Sequence, residues 1–146
     1  ASALDDIIYQ AALARAPVER LARALEVKDA SRLEAALEMV AVRRVKQALE
    51  PVVKLLKHKE QRISDRAIGA LVALGDPAAV KHLTRLAKFS DTERMAKVLD
   101  AIGALGGKEA RQYLEFVASG HEDEDIRGMA KEALERMGRT RKRTPP

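Results

Sequence analysis

Three histidines, His58, His82 and His121, are the side chains of this chain with ordinary pKa values near neutrality, and there is no cysteine. Catalysis would need a nucleophile beside a base, paired carboxylates in a pocket, or a metal cluster. No histidine stands three or four residues from another, as two ligands on one helix face would, and without thiolates a zinc site lacks its other common ligand. "HEDED" at 121–125 could attract a divalent cation, but it lies just ahead of a helical pattern, where acids complement the positive end of the helix dipole. Capping is the stronger reading. His58 and His82 read as solvated members of basic faces. The sequence assigns no catalytic residue, metal site or cofactor, and an enzyme is not expected.

The cations are spaced more suggestively. Arg23, Lys54 and Arg85 recur at 31-residue steps, with Lys57 and Lys88 one turn beyond the last two. Such a ridge could grip phosphates. Glu26 occupies the first place in the Lys57 column, and Glu19 and Glu50 lie nearby, so an ordinary solvated face is the competing reading. Aromatic interleaving for base stacking is absent. The chain carries a net charge of +5. The last eleven residues, "RMGRTRKRTPP", hold five cations and no acid, and the rest of the chain balances. The run containing Arg141, Lys142 and Arg143 fits a phosphate or acidic-lipid contact, a nuclear localisation signal, or a solubilising linker. Thr144 before Pro145 matches a proline-directed phosphorylation pattern weakly.

These charges are placed by a repeat. "ALVALGDPAAVKHLTRL" at 70–86 returns as "AIGALGGKEARQYLEFV" at 101–117. At the same step Leu21, Val52, Leu83 and Leu114 form one wholly apolar column, Ala24, Leu55, Leu86 and Val117 another, and Val18, Leu49, Val80 and Arg111 a third. Columns three residues apart mark the buried stripe of a helix. Second stripes follow at Leu33–Leu37–Val40, Ile63–Ala67–Leu71, Met95–Leu99–Ile102 and Ile126–Ala130–Leu134. Each unit is therefore a helix pair. Gly75, Gly106 and Gly138 fall where a left-handed residue closes a second helix. Asp76 and Pro77 suit the start of the next helix, and Ser31 with Glu34, and Ser90 with Glu93, have capping-box spacing. Near position 44 no glycine stands, so the helix from Ser31 is expected to run on and bend at Pro51.

Across residues 17–138, most clearly from Ile63 to Gly138, this pattern resembles the HEAT-like repeats of the PBS-lyase type. The resemblance implies an all-α fold, a short right-handed α-solenoid of about four helix pairs, with second helices lining one face and first helices the other. In that family the second helix opens with Asp followed by Val-Arg, forming a polar ladder between repeats. Here "DEDIR" supplies Asp123 and Arg127, while Ser64 and Ala96 stand where Arg is expected, so the repeats are divergent. Residues 1–138 are expected to form one domain, and 139–146 a basic, disordered tail.

Stacked helix pairs make an extended surface suited to holding another macromolecule. The expected function is a non-catalytic adaptor or scaffold that binds another protein. A nucleic-acid-binding module is the alternative, and a subunit of a bilin-lyase-like enzyme the third. Partner contact is expected at the second-helix positions Arg62, Asp65, Arg66, Arg94, Lys97, Arg127 and Lys131. Tyr113 and Phe116 fall where earlier repeats keep polar residues, so they form either an aromatic docking patch or the base for a covering terminal helix. No run of about 18 apolar residues is present, so no transmembrane segment is expected. "ASALDD" lacks the features of a signal peptide. A cytoplasmic location is slightly favoured, and a mature exported domain fits as well.

Overall fold

A computed structural model describes residues 2–143, which pack as two compact units divided between Asp76 and Pro77. In the first unit α1 (Ala3–Arg15) precedes two helix pairs, α2 (Val18–Arg23) with α3 (Ala30–Arg43) and α4 (Leu49–Leu55) with α5 (Gln61–Leu74). The second unit holds α6 (Val80–Ala87) with α7 (Thr92–Leu105), and α8 (Lys108–Gly120) with α9 (Glu124–Arg143). No strand occurs among the described residues. The chain is all-α and of the solenoid class, built from four helix pairs in the register the sequence repeat predicts.

The repeat columns explain this register. Leu21, Val52, Leu83 and Leu114, one from each first helix, are fully buried. Each contributes about 1.5–3 kcal/mol of transfer free energy. The second helices bury Leu33 and Leu37, Ile63 and Leu71, Met95 and Leu99, and Ile126 and Ala130. Within each unit the second helices lie side by side, α3 against α5 and α7 against α9. Gly103 makes the latter approach close, since a β-carbon there would stand 3.3 Å from the Ala133 Cβ.

Helix ends follow the sequence in part. Gly75 (φ 68°, ψ 17°) closes α5 in the left-handed conformation, as expected, whereas Gly106 closes α7 with positive φ (70°) but an extended ψ of −165°. The helix from Ser31 does not continue to Pro51. It ends at Arg43, with Arg44 itself in the left-handed conformation (φ 51°, ψ 53°), the position that glycine holds at 75. Pro51 then lies in the first turn of α4, where a missing N–H leaves no bond unmade. The second-helix caps are Asp29 and Asp91, whose carboxylates accept from the Arg32 and Arg94 amides at 3.0 and 2.8 Å. Ser31 is already inside α3, and the Ser90 hydroxyl donates to the Leu86 carbonyl. Pro77 opens a short 3-10 turn, 77–79, leading into α6.

Two features had no signal in the repeat. α1 packs on α3, where the Arg32 guanidinium lies 5.0 Å above the Tyr9 ring. The Arg43 guanidinium clamps the end of α1, donating to the carbonyls of Leu13 and Ala16 at 2.9 and 2.7 Å. At the other end α9 does not stop at Gly138, where a closing glycine and a disordered tail were expected. Its backbone stays helical to Arg143.

Candidate functional site

The cation and aromatic positions fall into separate groups when followed helix by helix. In the first unit the exposed face between α3 and α5 is a shallow groove of about 470 Å³, lined by Glu38 and Val42 of α3 and by Arg62, Asp65 and Arg66 of α5. Val42 is 71% exposed, although it sits one residue before the last of α3. Arg62 is held at the rim by Glu34 at 3.0 Å and Glu60 at 3.8 Å. The groove thus has small apolar elements in its floor and rim charges of both signs. Three of the seven expected second-helix contacts come together here.

The other four do not form a matching strip. Aligned on the buried Ile63, Met95 and Ile126, position by position, Asp65 corresponds to Lys97 and Gly128, and Arg62 to Arg94 and Asp125. The charge pattern is therefore not repeated. Arg94 and Lys97 are on α7, whereas Arg127 and Lys131 line a groove between α9 and α8, beside Glu115 and Ser119. Arg127 is turned inward, donating to the carbonyls of His121 (2.5 Å) and Glu122 (3.1 Å) in the α8–α9 connection. Ser64, at the equivalent position of α5, does the same job with its hydroxyl, which donates to the Leu56 carbonyl at 2.5 Å. In α5 and α9 the polar position expected to build a ladder thus ties the loop to its own helix pair.

The "HEDED" run acts as a cap. The Asp123 carboxylate accepts from the Asp125 amide at 2.8 Å and the Ile126 amide at 3.4 Å, at the start of α9. Among the described residues no three His, Asp or Glu side chains gather as a metal site. His58 and His121 both accept through Nδ1 from the amide two residues on, each at 3.0 Å, so both shape loops. Arg23, Lys54 and Lys57 are exposed in the first unit, and Arg85 and Lys88 in the second. Arg141, Lys142 and Arg143 lie on the last turn of α9, and Thr144 and Pro145 fall outside the described residues.

The aromatic residues form a second candidate. Phe116 is 72% exposed on α8, and the half-buried Tyr113 lines the same groove of about 560 Å³. Burial raises the Tyr113 phenol pKa above its ordinary value. Phe89, at the α6–α7 turn, is 87% exposed. Sequence periodicity missed it because it lies past the last apolar column of α6. The available signal was rarity, since both phenylalanines of the chain stand in solvent. A third apolar surface, Leu4, Ile7 and Ile8 of α1, is exposed in the first unit.

Helix pairs repeated four times, with a buried aliphatic column running through the first helices, define an α-helical repeat protein. The family model for HEAT repeats matches residues 18–97, and the chain belongs to that family. HEAT repeats serve generally as protein-interaction scaffolds. No curated protein matches the sequence. Among the described residues no helix is long and apolar enough to cross a membrane.

Proposed function

We propose that this chain is a non-catalytic adaptor or scaffold that holds a protein partner against the exposed face of its second helices, centred on the α3–α5 groove. The observation that carries this reading is the groove itself. It places an exposed valine, Val42, beside Arg62, Asp65 and Arg66, so an extended or helical segment could bury an apolar side chain while pairing charges of either sign. The ion pairs of Arg62 with Glu34 and Glu60 hold one rim in place before binding, which lowers the entropy lost on association.

The test is affinity capture with the whole chain, repeated after nuclease treatment, comparing wild type with Val42→Asp and Arg66→Glu. Both positions are exposed, so the variants should keep the wild-type melting temperature. A partner retained after nuclease and lost with either variant supports the reading. Capture that needs nucleic acid, or that ignores both substitutions, rejects it.

A further inference from the structure

The aromatic groove of the second unit has an unusual charge layout. On its α6 side, residues 77–90 contain Lys81, Arg85 and Lys88 and no acid. These three positions are spaced by four and three residues, so they share one helix face, and all are exposed. On the opposite side the α8–α9 connection presents Glu122, and the first turn of α9 carries Glu124 and Asp125, all three exposed. Lys88 and Glu122 line the same groove, with Tyr113 and Phe116 between them. Asp91, on the basic side, is engaged in capping α7.

A surface with an apolar centre, cations on one flank and acids on the other is complementary to itself. A two-fold axis lying in the interface and running between the flanks sets each cationic flank opposite the acidic flank of the other copy. We infer that the Tyr113–Phe116 face of the second unit is a self-association surface, on which a second copy of this chain docks with Lys88 of each copy opposite Glu122 of the other. Phe116 of both copies would bring two largely exposed rings to the contact, with Tyr113 beside each. At about 150–250 Å² each, the two Phe116 rings would supply about a quarter of the 1,200–2,000 Å² typical of a stable interface. The surface is separate from the α3–α5 groove, so either proposal can fail alone.

Sedimentation velocity of the whole chain from about 1 to 200 μM should show a concentration-dependent dimer, within the ordinary range of such association. Lys88→Glu and Glu122→Lys should each weaken it at least about tenfold, because each sets like charges opposite one another twice in a symmetric pair. Mixing the two variants should restore the dimer, since both cross-interface pairs are again opposite in sign. Phe116→Ser should abolish it with helicity unchanged, the ring being mostly in solvent in the single chain. A wild type that stays monomeric throughout, or a mixture that fails to reassociate, overturns the proposal. So does a dimer that survives Phe116→Ser and is lost with Ile7→Ser and Ile8→Ser, which would place association on α1.

Discussion

Arg44→Gly tests the most unexpected local feature of the fold. The left-handed conformation of Arg44 brings its Cβ too close to the following carbonyl, at a cost of about 1–2 kcal/mol for an L-residue. Glycine removes that cost but adds freedom to the unfolded chain worth about 0.4–1 kcal/mol. The difference is a net stabilisation of about 0.5–1 kcal/mol. The Arg44 side chain is exposed, so little packing is lost with it. For a protein of this size the gain corresponds to a rise in Tm of about 1–4 °C. Thermal and urea unfolding monitored by circular dichroism measure it, with Arg44→Ala as control. Alanine removes the same charge but keeps the β-carbon, and should give no comparable gain. If Arg44→Gly lowers Tm, or alanine matches glycine, α3 does not end in this conformation.

Arg43→Met should free the end of α1. Losing two charge-assisted bonds to the Leu13 and Ala16 carbonyls costs about 1.5–3 kcal/mol locally, seen as faster hydrogen exchange across residues 3–15 with little change in the second unit. Gly69→Ala, in open space on α5, should stabilise by about 0.5–1 kcal/mol. Gly103→Ala should give no such gain, because its new methyl meets Ala133; equal shifts in urea midpoint would refute the close α7–α9 approach. The folded-state pKa of Tyr113 is raised, so stability from its neutral phenol is fully present below the ordinary value of 10.0 and is lost as pH rises through the folded value. Phenolate absorbance in a Tyr9→Phe background should show a midpoint above 10.0, and a midpoint at or below it would place Tyr113 in open solvent.

Whatever depended on burial was legible in the sequence. The column Leu21, Val52, Leu83 and Leu114 located every first helix, because a helix in a stack must bury the same face at each repeat. Helix ends were less legible. Asp29 and Ser31, or Ser90 and Asp91, are equally able to cap, and backbone torsions at single residues decide between them. Arg44 gives no sign of a left-handed turn. α1 has no partner in the 31-residue register. Sequence spacing brings Arg62 and Arg66 together because they share a face of α5. The turn of the Arg127 guanidinium to the loop carbonyls has no signal in the spacing, and Phe89 escapes periodicity because it lies in a turn.

The proposed function lays a protein partner along the second helices of the first unit. Hydrogen–deuterium exchange of the whole chain, alone and saturated with its captured partner, measures this most directly. Slowed exchange is expected in α3 near residues 37–42 and in α5 near residues 62–70, with α2 and α4 unaffected. Protection confined to α2, α4 and α6, around Arg23, Lys54 and Arg85, would contradict it and assign binding to the basic positions of the first helices.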